Sequence, residues 1–133
     1  MYEIVAGIDT SEARARAQAR EITGMPMDHD EVHVTLLHDF QDNPEGASVE
    51  QVSSVRRAKN ILEEAGVTVS LSESSGDPAA AILEIADERD ADLIVVAGRK
   101  RTPTGKVLFG SVTQSVILGT NRPVLVCSGE EED

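Results

Sequence analysis

The alternation of segment types constrains this chain more than any single residue. Five short apolar runs, at residues 4–8, 32–38, 67–71, 93–97 and 123–127, read as strands. Between them lie four stretches whose apolar residues recur at helical spacing. Strand and helix in strict turn imply a parallel sheet covered by helices on both faces. The expected fold is α/β: a single doubly wound five-stranded parallel sheet, order 3-2-1-4-5, of Rossmann-like form. The run Leu93-Ile94-Val95-Val96-Ala97 is apolar throughout, which suits a strand covered on both sides.

Local signals place the helices. Thr10 and Ser11 can cap a first helix, with Ala13, Ala17 and Ile22 on one face and a stop near Gly24, reinforced by Pro26. Residues 41–47 are polar and read as a loop. Residues 49–65 predict one long helix, with Val52, Val55, Ala58, Ile61, Leu62 and Ala65 at helical spacing and Gly66 as its stop. Asp77 before Pro78 predicts the start of a third helix, with Ala81, Ile82, Ile85 and Ala86 as its buried stripe. Ser111 and Gln114 form a capping box for a short fourth helix ending at Gly119.

The 133 residues suit one domain, expected over 1–129, followed by a solvated acidic tail at 130–133. Hydrophobic residues make up 40%, but with no Trp, one Tyr and two Phe the core must be aliphatic. The lone Cys127 precludes an internal disulfide framework and fits a reducing cytoplasm. No apolar run approaches the roughly 20 residues of a membrane span, and no signal peptide is visible, so a cytoplasmic protein with no membrane role is expected. A net charge of −12 argues against nucleic acid as a partner, because duplex phosphates would repel most of the surface. Only three of twelve basic residues are lysine, an acidic, lysine-poor surface of the kind carried by salt-adapted (halophilic) cytoplasmic proteins.

Against that acid excess, four of the twelve basic residues, Arg99, Lys100, Arg101 and Lys106, crowd into one glycine-containing loop. In an open doubly wound sheet, ligands bind at the carboxyl ends of the strands, where the strand order reverses. In the order 3-2-1-4-5 that point lies between the first strand, ending at Asp9, and the fourth, ending at Ala97-Gly98. A carboxylate and a basic loop leading into a helix N-terminus would meet there. Helix N-termini favour anions, Gly110 allows close backbone approach, and the Ser111 hydroxyl can donate to a phosphate oxygen. Asp9 repels phosphate but can accept hydrogen bonds from ribose hydroxyls. The same residues also fit a helix cap, two turns and a solvated basic rim.

Several segments together resemble the universal stress protein family. They are residues 4–12, 34–38, Gly76-Asp77-Pro78, 91–98, 109–116 and Pro123-Val124-Leu125-Val126, in that order along nearly the whole chain. The ATP-binding branch of the family carries G-x-x-G, nine residues, then G-S or G-T. Gly98 and Gly110-Ser111 fit its ends. Arg101 stands where the second glycine belongs, and eight residues rather than nine precede Gly110. Gly105 is the candidate replacement for the lost flexibility.

The resemblance implies an adenine nucleotide, with ATP (and Mg2+) as the expected cofactor. Asp9 would lie at the ribose and Val34 beside the adenine. Gly98, Gly110 and Ser111 would line the phosphates, with Thr10, Arg99, Arg101, Gly105 and Val112 as further nucleotide-binding candidates. It also implies a stress-response regulatory protein with little or no turnover, at most a weak ATPase. The alternative is a nucleotide-free dimeric interaction module. In either case a homodimer through the fifth strand, Val124, Leu125 and Val126, is expected, because an apolar edge strand invites pairing.

Other chemistries fit less well. A P-loop fails because Val107 follows Gly105-Lys106 and position 100 is lysine. No G-x-S-x-G elbow occurs. His33 and His38, at odd separation, fall on opposite faces of one strand and cannot share a metal. Together with His29 they read as rim or packed residues.

Overall fold

The computed structural model describes residues 1–43, 45–98 and 109–128. The elements run β1 (Tyr2–Gly7), α1 (Glu12–Thr23), β2 (Val32–Phe40), α2 (Ser53–Glu64), β3 (Thr68–Ser75), α3 (Pro78–Glu88), β4 (Leu93–Ala97), α4 (Ser111–Gly119) and β5 (Val124–Cys127). The five strands form one all-parallel sheet in the order β3-β2-β1-β4-β5. The expected α/β fold and strand order are therefore those observed.

Side chains alternate across the strands, so the sheet has two cores. On one face Ile4, Ala6, Val34, Leu36 and Val95 meet Ala15, Ala19 and Ile22 of α1 and Val55, Ala58 and Leu62 of α2. On the other, Val5, Leu37, Ile94 and Val96 meet Ala79, Ile82 and Ala86 of α3 and Val116 of α4. β4 is buried on both faces, as its unbroken apolar run requires.

Several helix ends follow their sequence signals. Gly24 closes α1, donating its N–H to Arg20 O. Gly66 adopts φ +96°, a conformation that costs a glycine little, just beyond the end of α2. Asp77 accepts from Ala80 N and Pro78 opens α3. The ring nitrogens of His29 lie 2.8 Å from Thr23 O and 2.9 Å from Ala65 O, tying together the ends of α1 and α2. Arg122 reaches Asp90, Asp87 and Ala91 O, fixing the approach to β5 against the end of α3.

Four local expectations are corrected. The buried stripe of α1 is Ala15, Gln18, Ala19 and Ile22, not Ala13, Ala17 and Ile22. The helix expected over 49–65 is broken. A 3-10 turn at Val49–Gln51 ends at Val52 in extended conformation, where α2 begins. Gln51 Oε1 accepts from Ser48 N at 2.9 Å, closing that turn on itself. In α3 the fully buried positions are Ala79, Ile82 and Ala86, with Ala81 and Ile85 packed at the margin. At α4 the N-cap is Gly110, and Ser111 is the first helical residue rather than a cap.

Candidate functional site

Parallel pairing brings the carboxyl ends of β1, β2 and β4 side by side, and a cleft of about 360 Å³ opens there. Its position is the reversal of strand order between β1 and β4, where the doubly wound fold puts ligands. Of the ten residues expected from sequence, Asp9, Thr10, Gly98, Gly110, Ser111 and Val112 line it. Arg99, Arg101 and Gly105 lie outside the described residues, as do Lys100, Lys106 and the tail 130–133.

Val34 does not line the cleft. It is 0% exposed in the core between the sheet and α1 and α2, in register with Ile4 below the open end of the sheet. The β2 residues that reach the cleft are Leu37, His38 and Asp39. His38 is held there by a 2.7 Å hydrogen bond to Ile8 O, and its ring meets Phe40 edge-on.

Asp9 follows β1 and is half exposed. Its Oδ1 accepts from Ser11 N at 2.9 Å and its Oδ2 lies 2.7 Å from Arg14 Nε. Ser54 Oγ donates to Asp9 O, so the backbone here is anchored to the start of α2. The expected site carboxylate is thus already engaged with two groups of α1 and its cap, and Arg14 itself lines the cleft.

The opposite wall is the start of α4. Thr113 Oγ1 donates to Ala97 O at 2.8 Å, and Gly98 N donates to Cys127 O at 2.7 Å, which ties the end of β4 to α4 and β5. Gly110 as N-cap has φ −75° and ψ 169°, a conformation open to any residue. Its lack of a side chain therefore matters for approach rather than backbone freedom. A glycine cap offers no side-chain acceptor to the first-turn N–H groups, and the positive end of the helix dipole faces the cleft.

Sequence reasoning missed Arg14, Leu37, His38, Asp39, Gln41, Pro78 and Ile82 as lining residues. A signal for the β2 group was present. The expected order puts β2 beside β1, so the end of its apolar run had to flank Asp9. Gly7 is a further contributor, because a Cβ there would stand 2.5 Å from Ile82 Cδ1 on the floor of the cleft.

A doubly wound α/β domain with a cleft at its switch point, walled by the carboxylates of Asp9 and Asp39 and by one glycine-capped helix, is the class that fold and site define. The universal stress protein family model matches residues 1–128, and the chain belongs to that family. A universal stress protein of Methanocaldococcus jannaschii is 37% identical over 73 residues, covering 55% of this chain and 43% of that protein. The chain spans about half the length of the curated relatives it matches. Among solved structures, a universal stress protein from Archaeoglobus fulgidus superposes with TM-score 0.75 at 28% identity, covering 96% of this chain and 99% of that one. A universal stress protein solved in complex with cAMP superposes with TM-score 0.69 at 25% identity, covering 96% and 97%.

Proposed function

We propose that this protein binds an adenine nucleotide in the cleft between β1 and β4 and acts as a stress-response regulator with little or no turnover. The observation that carries this reading is the convergence of Asp9 and the Gly110-capped N-terminus of α4 on one cleft. A nucleotide needs both: hydrogen-bond acceptors for ribose hydroxyls and N–H donors for phosphate. The cleft's volume also suits a small ligand. The relative solved with cAMP, alike over nearly the whole chain, supports the same ligand class.

ATP is the expected form, and Mg2+ would enter with it on the phosphates. Efficient phosphoryl transfer requires a positioned base and metal-binding carboxylates near the γ-phosphate. The two cleft carboxylates, Asp9 and Asp39, are engaged by Arg14 and Ser11 and by Gln41 and Ser74. That engagement supports a binding role over a hydrolytic one. Among the described residues no helix is long and apolar enough to cross a membrane. The reading includes a cytoplasmic location, for which the lone buried thiol of Cys127 is the support.

The test is calorimetric titration of wild type and Gly110→Val with ATP. Valine fits the backbone here but fills the space a phosphate must approach, so affinity should fall at least tenfold. The cap loss should cost about 1 kcal/mol of stability at most. Lys100→Ala should matter less, since a single charge screened by solvent typically contributes about 0–1 kcal/mol. No ATP binding by wild type at millimolar ligand, or a larger effect from Lys100 than from Gly110, would reject the reading.

A further inference from the structure

At the amino ends of the strands, far from the cleft along the sheet, three side chains form a hydrogen-bonded relay. His33 Nε2 lies 2.7 Å from Ser70 Oγ, and His33 Nδ1 lies 2.7 Å from Glu3 Oε1. Register explains the meeting. Glu3 pairs with His33, and His33 with Thr68, so Ser70, two residues beyond Thr68, lies on the same face. We propose that Ser70 is a nucleophile for acyl transfer from small activated esters, with His33 as its general base and Glu3 as the residue that positions the imidazole.

The chemistry follows from donors and acceptors. A carboxylate can only accept, so Glu3 selects the tautomer with hydrogen on Nδ1. Nε2 is then left with its lone pair toward Ser70, whose hydroxyl donates to it. That is the arrangement of nucleophile, base and orienting acid that activates serine on unrelated folds. Glu3 is itself held in place, since its N–H donates to Asp92 Oδ2 and its C=O accepts from Asp92 N, both at 2.8 Å. His33 and Glu3 retain 11% and 27% of their side-chain exposure, and Ser70 is also partly exposed, so the relay is reachable from solvent. Ser70 stands on β3, the outer strand, where half the backbone N–H groups have no neighbouring strand to pair with.

In the step, Ser70 Oγ attacks the ester carbonyl while its proton passes to His33 Nε2. The acyl–oxygen bond of the ester breaks, and the proton goes to the departing alkoxide. Acyl-Ser70 remains, and water activated by the same imidazole returns the hydroxyl and releases the acid. A single positioned oxyanion donor is worth roughly 10²–10³ in rate.

The experiment incubates the full chain with p-nitrophenyl acetate and maps acetylation by peptide mass spectrometry. Acetyl should accumulate on Ser70, and the label should vanish from that peptide in Ser70→Ala. His33→Gln should slow labelling of Ser70 by roughly 10²-fold, the usual yield of a general base. Glu3→Gln should slow it and move the pH at which labelling rises, a change a purely structural contact would not produce. Thermal melts of the variants separate loss of chemistry from loss of fold, and wild-type mapping is independent of them. An unmodified Ser70 in wild type overturns the proposal. So does labelling that proceeds equally fast in a folded His33→Gln variant.

Discussion

Arg14 Nε lies 2.7 Å from Asp9 Oδ2, so the carboxylate at the end of β1 is paired with the helix that follows it. Asp9 does two things at once. It accepts from the N–H of Ser11, the residue whose hydroxyl caps α1, and it faces the cleft. A ribose hydroxyl would share or displace the Arg14 contact, in which Asp9 is half exposed and Arg14 mostly buried.

Asp9→Ala should therefore lower affinity for ATP and ADP by a similar factor. A lost hydrogen bond to a charged group costs roughly 1.5–3 kcal/mol, or about 10- to 150-fold in Kd. Stability should also fall by about 1 kcal/mol, because Ser11 N loses its acceptor. Asp9→Asn keeps an oxygen for Ser11 and should melt nearer to wild type. Calorimetry and thermal melts read the two effects separately. A destabilised Asp9→Ala that binds both nucleotides as wild type does would make Asp9 a cap and nothing more.

Thr35 is 0% exposed, and its hydroxyl has no hydrogen-bond partner among the described residues. A buried hydroxyl without a partner carries its desolvation penalty uncompensated, about 1–3 kcal/mol. Valine has nearly the same shape and no such penalty. Thr35→Val should raise stability by about 1 kcal/mol, a few degrees in Tm for a domain of this size. A fall in Tm would mean that the hydroxyl has a partner after all, such as a buried water.

Cys127 sits at the end of β5, 3% exposed. Burial pushes its thiol up to about 12, and the charge of Glu21 adds to the shift. The folded value lies above the ordinary one of 9.0, so the native state holds its proton longer than the unfolded chain. The stability this contributes is whole below about pH 9 and is lost as pH rises toward about 12. The native thiol should resist a thiol reagent at pH 8 and react on unfolding. Cys127→Ala should remove this part of the alkaline decline, read from urea midpoints across that range. Rapid labelling of the folded protein at pH 8 would contradict the burial.

What the sequence disclosed follows from how local each signal is. β4 was legible because a strand buried on both faces needs no alternation, and Asp77-Pro78 because a cap and a fixed φ act within one turn. α1 was misjudged because Ala13, Ala15, Ala17 and Ala19 alternate with polar residues. That pattern gives no preferred face until Gln18 is seen to donate to Gly7 O at 2.9 Å. The break at Val52 was hidden because its apolar spacing continues across the 3-10 turn.

The site divided in the same way. Asp9, Gly98 and Gly110 were legible because strand ends and helix starts define the switch point. Val34 was misplaced because the family likeness gave a strand but not the position along it. Leu37, His38 and Asp39, three to five residues further on, are the ones that reach the open end of the sheet. The Glu3–His33–Ser70 relay left no local trace, since its members come from three strands and meet only through register.

Assembly gives the last prediction. β5 is an outer strand, and Val124, Leu125 and Val126 are each only partly buried. An apolar strand edge with backbone groups on its free side is a template for pairing. A second copy of β5, antiparallel about a two-fold axis, supplies a self-complementary partner. Pro123 precedes the strand, where its missing N–H does little harm. The chain carries a net charge of −12, with four acidic residues directly after Gly129, so two copies joined at β5 bring like charges together. Their repulsion reaches about 30 Å at 0.01 M salt and about 3 Å at 1 M. The homodimer should therefore tighten as salt is raised, the behaviour expected of a salt-adapted surface. Leu125→Lys should weaken it by placing a charge in the apolar seam, and Val124→Pro by removing a backbone donor from the strand. Light scattering across a salt series reads both. A monomer at every salt concentration would reject pairing through β5, as would a dimer untouched by either substitution.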